Sequence, residues 1–368
     1  MLRFLKHLRW LQNDLNSIAV TSIERQIIIM NAKISGVGHY IPGIVTDEDF
    51  AEVYGERANK VSRILQHHSR YLATDIRTNK QKVSNLDMGY LASVEALEKA
   101  GIEPNDVDMI IYATISPDYL APANFSLLQE KLRISECIGF DIHSGCAAFG
   151  TALTVAESYI KLGKVKNALI VGADLLSSRF ALLPESKMSV KTLFNYMFFG
   201  DGAGAVVLTA TNGEGILYAE ASSNNASEEN GSIIEIGGSV YPYPTDEVKM
   251  DRWPIFQASG ISDDALARVL VKTMKQLKEK GFDLNKIDKF IMPIASEKIM
   301  EKVLSEVTEI VPSKVYSCEN EGGALINAAL PLSLYKAFDE GLIQKGDRIL
   351  IYAAENTKWQ HAVLVAEI

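Results

Sequence analysis

Three cysteines in 368 residues, Cys137, Cys146 and Cys318, are too few for a disulfide framework. A reducing, cytoplasmic setting is therefore expected, and each thiol is read singly. No apolar run reaches the roughly 18 residues that a membrane helix needs, so no transmembrane segment is expected. Positive charge is in deficit: 37 Lys and Arg stand against 46 Asp and Glu, a net charge of −9. That balance argues against nucleic acid or an anionic membrane as the main partner. The 47% hydrophobic and 23% charged residues exclude a disordered chain, a collagen-like repeat and a coiled coil. No cluster of residues suggests a metal site.

Residues 1–29 read apart from the rest. Arg3, Lys6, Arg9 and Arg25 stand against Asp14 and Glu24, and Leu5, Leu8, Leu11 and Trp10 form a short helical stripe. No small-residue cleavage site follows a long apolar segment, which argues against a secretory signal. The stretch reads as a membrane-surface helix or as a dispensable extension ahead of Met30. Beyond it the chain repeats itself. GIEPNDVDMIIYATIS from Gly101 returns as GFDLNKIDKFIMPIAS from Gly281, so that Gly101, Asn105, Asp108, Ile111 and Ser116 recur 180 residues on. Each copy follows an amphipathic helix that ends at a glycine. Ser84 and Asp87 look like a cap at the start of the first helix, and Ser262 precedes the second. ALIVGAD at 168–174 and RILIYAAE at 348–355 continue the echo. The expected fold is α/β, with an N-terminal half at 30–212, a C-terminal half at 213–368, and mostly parallel sheets covered by helices. Residues 180–195 and 222–260 read as surface or lid insertions.

In FDIHSGCAAFGTAL (140–153) a β-run ends, Ser144-Gly145 turns the chain, and Cys146 stands where a helix starts. A helix N-terminus favours thiolate over thiol, which makes Cys146 a candidate nucleophile. The alternative is a buried cysteine acting as a small hydrophobe. Cys137 and Cys318 lack that context and are expected to be inert.

That segment resembles the active-site stretch of the ketosynthase III (3-oxoacyl-ACP synthase III) family of the thiolase superfamily. So do ISGVGHYIPGIVTDEDF, NALIVGADLLSSR, FFGDGAGAVVL at 198–208 and Pro122, 24 residues before Cys146. The likeness covers nearly everything after residue 30. It implies a thiolase-like αβαβα layered fold of two duplicated halves, a dimer, and an acyl group carried on Cys146. The donor would be an acyl-CoA or an acyl carrier protein thioester, as substrate, with no tightly bound cofactor.

The chain departs from the family at telling places. The family's histidine follows a proline, but Pro293 is followed by Ile294, and no histidine lies between 144 and 360. Counting back from Pro331 puts Ala324 at the family's asparagine. AAENTKWQHA replaces its last glycine run, and RILQHHSR replaces its Arg-Thr-Gly-Ile segment. Losing one oxyanion donor costs on the order of 10² to 10³ in rate. Decarboxylative condensation is therefore expected to be impaired, while acylation of Cys146 needs less. Auxiliary candidates are His143, three residues before the thiol, Asn320, and Glu321 and Glu355, which lie in loops that converge on the thiol in the family. His67 and His68 are expected as a solvated pair near the acyl-donor entrance. Ala121, beside Leu120, holds the family's acyl-gate position, and its small side chain predicts medium or long acyl chains. The first reading is an acyltransferase in fatty-acid or polyketide-type biosynthesis, a homodimer or heterodimer. The second is a non-condensing partner subunit of an active ketosynthase.

Overall fold

The computed structural model describes residues 30–65, 67–181, 188–223, 231–243, 256–257, 262–293 and 297–368. The extension at 1–29 lies outside them, as do Ile294 and part of the 180–195 and 222–260 insertions. In chain order the strands are β1 (Asn31–Tyr40), β2 (Gly43–Thr46), β3 (Ser69–Leu72), β4 (Met109–Ala113), β5 (Ile138–Ile142), β6 (Asn167–Asp174) and β7 (Gly202–Thr211). They continue as β8 (Ile216–Ser223), β9 (Ser232–Ile233), β10 (Phe256–Gln257), β11 (Lys289–Ile291), β12 (Val315–Tyr316), β13 (Arg348–Ala354) and β14 (Gln360–Glu367). The helices are α1 (Asp47–Tyr54), α2 (Glu56–Ser62), α3 (Asn85–Ala100), α4 (Asn124–Leu132), α5 (Ala148–Lys161) and α6 (Ser177–Ala181). After these come α7 (Val190–Phe198), α8 (Ser262–Glu279), α9 (Glu297–Glu306), α10 (Glu319–Gly322) and α11 (Ala329–Asp339).

The two large sheets have one topology. The first runs β1-β7-β6-β4-β5 and the second β8-β14-β13-β11-β12. In each, two antiparallel pairings are followed by two parallel ones, strand for strand. The repeat seen in the sequence is thus a repeat of architecture, and its residues do the same work twice. Asp108 donates its N–H to Asn167 O at 2.9 Å, and its Oδ2 accepts from Lys166 N and Asn167 N at 2.7 and 3.0 Å. Asp288 donates to Arg348 O at 2.8 Å and accepts from Arg348 N at 2.9 Å. Each aspartate therefore pins the start of the neighbouring parallel strand. The preceding helices end alike, on Gly101 (φ 64°) and Gly281 (φ 90°), with the next residue's N–H reaching back to Leu97 O or Leu277 O. Ser84 Oγ caps α3 by accepting from Asp87 N at 3.0 Å. Replacing Asp108 or Asp288 by alanine should cost about 1 kcal/mol of stability each. The two sites are far apart in sequence and share no partner, so the losses should add in a double variant read by urea unfolding.

Period-two alternation sends each buried strand to two cores. In β4, Ile111 and Ala113 face a middle layer, while Ile110 and Tyr112 face outward beneath α3 and α4. The middle layer holds α5 and α11. Phe149 and Leu153 on one, and Leu330 and Leu334 on the other, pack with Ile170 and Val206 of the first sheet and Ile351 and Leu364 of the second. In the second sheet Phe290, Leu350 and Val363 meet Leu270 and Met274 of α8 and Val303 of α9. The layers are therefore helix, sheet, helix, sheet, helix. The helix that begins after Cys146 lies in the central layer.

Candidate functional site

The site forms where strands of both sheets reach their C-terminal ends. Cys146 follows β5. Gly145 turns the chain with φ +54°, and Ala147 N and Ala148 N close the bend on Ser144 O and Gly145 O at 3.2 and 3.4 Å. The thiol is half-buried against an apolar cluster that includes Leu176, Met197, Phe198, Phe199, Ala324 and Ile326.

Three carboxylates from other elements act on it. The register that pairs Met109 with Ala168 and Lys289 with Ile349 makes Asp174 and Glu355 equivalent positions in the two halves. Asp174 closes β6 and is fully buried. Its Oδ1 accepts from Thr114 Oγ1, Ile115 N and Ser116 Oγ at 2.8–3.0 Å. Its Oδ2 accepts from Asn327 N and Nδ2 at 3.1 and 2.9 Å. Asn327 Oδ1 in turn accepts from Phe149 N, in the first turn of α5, at 3.2 Å. Burial pushes the Asp174 carboxyl above its ordinary range even so.

Glu355, one residue past β13, is 1% exposed and covers Gly145. A Cβ added at Gly145 would lie 2.7 Å from Glu355 Oε2, so only glycine fits both the dihedral and the space. Its own turn satisfies the carboxylate. Thr357 N (2.5 Å) and Oγ1 donate to Oε2, Lys358 N to both oxygens, and Gln360 N to Oε1 at 2.7 Å.

Glu319 completes the set. It opens the single turn α10 and is 8% exposed. Its Oε1 accepts from Leu325 N at 3.1 Å, and Oε2 has no hydrogen bond among the described residues. Burial pushes its carboxyl up to about 7.

Burial first, and then Glu355, Glu319 and Asp174 in that order, push the Cys146 thiol well above its ordinary range. This corrects the expectation drawn from the helix end alone. The terminus of α5 is one partial charge, and desolvation with three carboxylates outweighs it. Cys318 is buried and is also pushed up, to about 12, mainly by desolvation.

Of the auxiliary candidates only Glu355 comes to the thiol. His143 is exposed. Asn320 and Glu321 occupy the outward face of the α10 turn. Glu321 bonds there to Tyr71 Oη at 3.1 Å and to Lys336 Nζ. Both expected residues of this turn, Asn320 and Glu321, are exposed. Glu319, two residues earlier, is the inward one. A hint lay in the strings themselves, since ALIVGAD and RILIYAAE both end in an acid. His67 is not solvated: it is buried with Nε2 3.2 Å from Met197 O, while exposed His68 sits 2.9 Å from Asp47 Oδ2.

Ala324 is buried, and its backbone is already committed. Its N–H donates to Phe198 O at 2.9 Å, and its carbonyl accepts from Gly200 N at 3.0 Å. The approach is close: a Cβ at Gly200 would fall 1.9 Å from Gly322 O. Position 324 thus offers no donor from side chain or backbone. Leu120 is 92% exposed and Ala121 is exposed, so both lie on the surface of this chain, outside the apolar cluster around its own thiol. Among the described residues no helix is long and apolar enough to cross a membrane, and no group of three or more His, Cys, Asp or Glu is placed to hold a metal.

The family model for 3-oxoacyl-[acyl-carrier-protein] synthase III matches residues 140–225, and the model for its C-terminal part matches 277–363. The beta-ketoacyl-[acyl-carrier-protein] synthase III of Vesicomyosocius okutanii is 30% identical over 325 residues, covering 87% of this chain and 93% of that protein. That of Neisseria meningitidis is 30% identical over 328 residues, covering 87% and 94%. Among solved structures, the synthase III of Aquifex aeolicus superposes with a TM-score of 0.75 at 26% identity, covering 91% of this chain and 99% of that one. The tetronic acid condensing enzyme AbyA1 shares the fold, with a TM-score of 0.80 at 23% identity, covering 92% and 100%. With its thiolase-type layers and duplicated halves, this chain belongs to the 3-oxoacyl-ACP synthase III (ketosynthase III) family.

Proposed function

We propose that this protein is an acyltransferase of the 3-oxoacyl-ACP synthase III type that loads an acyl group on Cys146 and condenses malonyl thioesters poorly. The donor is an acyl carrier protein or CoA thioester. In loading, Cys146 Sγ bonds to the thioester carbonyl carbon and gives up its proton. The tetrahedral intermediate then expels the donor's sulfur, which takes a proton, so no net proton is gained or lost. Because burial, and after it the surrounding carboxylates, hold the thiol protonated, loading should quicken as pH rises above neutrality.

Ala324 carries the condensation argument. Decarboxylation of a malonyl thioester leaves an enolate whose oxygen needs donors, and each one lost costs on the order of 10² to 10³ in rate. Ala324 has no side-chain donor, and both of its backbone groups are taken. The experiment is intact-protein mass spectrometry after incubation with acyl-CoA and acyl-carrier thioesters of two to twelve carbons, paired with an assay for 3-oxoacyl product. The natural protein should gain one acyl mass and Cys146→Ala none. Ile294→His/Ala324→Asn should form more 3-oxoacyl product than the parent. Robust condensation by the unaltered protein alone would overturn the proposal.

The raised thiol favours a second reading, a non-condensing subunit paired with an active ketosynthase. A protein that forms no adduct with any donor would support it. In either case the exposed Leu120–Ala121 segment is proposed to act in a neighbouring subunit's acyl tunnel.

A further inference from the structure

A malonyl thioester brings an anion to the site, and its decarboxylation leaves a second one. Both would form here beside the Glu355 carboxyl group, which four backbone and hydroxyl donors fix against Gly145, and beside Glu319 and Asp174. That arrangement opposes developing negative charge as surely as the missing donors do. Attack by an amine reverses the sign: as nitrogen bonds to the acyl carbon it becomes positive, and nearby carboxylates stabilise it.

Glu319 is the member of the set with capacity to spare. Asp174 and Glu355 accept five and four different donor groups respectively, whereas Glu319 keeps an oxygen with no hydrogen bond among the described residues. The backbone loop that holds its other oxygen is the one that seats Ala324 in the thiol's apolar cluster. Among the described residues, the titratable groups on which its charge acts are Cys146 and Cys318. Glu321 and Lys336 pair with each other on the outer side of the same turn.

We propose that acyl-Cys146 is discharged by a primary amine, with Glu319 taking the proton from the attacking nitrogen. The inference rests on the loading step proposed above. Nitrogen bonds to the thioester carbon, and its proton passes to the Glu319 carboxylate. The C–Sγ bond then breaks with its electron pair going to sulfur, and Glu319 returns the proton to Sγ. An amide and the free thiol result, with no oxidant or further reactant. A carboxyl near 7 suits this shuttle, because near neutral pH it is partly ionised and basic enough to accept the proton and give it back.

The test starts from protein already acylated on Cys146, so the rate of loading does not enter. Loaded protein is mixed separately with butylamine, 2,2,2-trifluoroethylamine, butanol and a malonyl thioester, and adduct loss and product mass are followed. Amines should discharge it at least tenfold faster than butanol or the malonyl thioester, with an amide as product. Glu319→Gln should slow amine discharge by about 10²-fold, the usual worth of a positioned base. With trifluoroethylamine, which stays unprotonated through neutral pH, the natural protein's rate should rise through about pH 7, the range in which Glu319 ionises. That profile decides the matter if the glutamine variant does not fold. A flat profile, an unaltered rate in a folded Glu319→Gln, or discharge to butanol or malonyl in preference to amines would overturn the inference and leave the loading proposal standing. A protein that cannot be loaded would overturn both.

Discussion

Asp174→Ala should lose about 3–5 kcal/mol of folding stability, the range for breaking a buried, fully bonded polar network. The truncation strands Thr114 Oγ1, Ile115 N, Ser116 Oγ, and both donors of Asn327, all in the protein interior. Each buried donor left unpaired costs roughly 1–3 kcal/mol, and some will pair with one another or with water that enters the space. Asp174 also ties β6 of the first half to the segment leading into α11 of the second, so the loss should appear in the single global transition and not as local fraying. Urea unfolding of the natural protein, Asp174→Ala and Asp174→Asn measures it. The asparagine keeps the acceptor Oδ1 but presents a donor to Asn327, so it should fall between the other two. A loss under about 1 kcal/mol for the alanine variant, the net worth of one ordinary hydrogen bond, would show that the network is dispensable.

The second expected result concerns pH. The Glu319 carboxyl is raised from an ordinary 4.5 to about 7 in the folded protein. The folded state therefore holds its proton more tightly than the unfolded chain does. The associated stability is fully present below about pH 4.5, declines as pH rises, and is lost above about pH 7. The shift corresponds to about 3 kcal/mol across that window. The carboxylates held low by partners, such as Asp47 and Asp87, act in the opposite direction but at lower pH. Glu319→Gln has no such proton to lose. Between about pH 5 and pH 8.5 the natural protein should lose up to about 3 kcal/mol relative to the glutamine variant, read as the difference in urea midpoints. Parallel pH profiles for the two proteins would show that Glu319 does not titrate in this window.

Much of the fold was legible because the repeat is carried by residues with obligatory local jobs. Gly101 and Gly281 end helices, and Asp108 and Asp288 pin strand starts, so the pattern survives where the side chains around it have diverged. Cys146 was legible for a similar reason: Ser144-Gly145 before a helix is a turn that the chain must write in particular residues. The carboxylates around the thiol were much harder to read. Glu319, Asn320 and Glu321 lie in a turn of four residues, too short for a hydrophobic period to say which of them faces inward. Asp174 and Glu355 end strands whose equivalence needs the sheet register, which the sequence offset of 180 approximates but does not give. The acidity of the thiol is hidden for the same reason: a helix end is visible in one stretch of sequence, while burial and the opposing charges come from others.

Those stretches belong to both halves. Cys146 follows β5 and Asp174 ends β6 of the first sheet, whereas Glu355 follows β13 and Glu319 comes after β12 of the second, with Glu355 covering Gly145 across the seam. The reactivity of the thiol is therefore a gauge of how the two halves are aligned. A slide of one sheet against the other by a fraction of an ångström alters the distance from sulfur to carboxylate before it alters any bond within either half. Substitutions in the shared middle layer, at Leu330 or Leu153 for example, will retune Cys146 from afar.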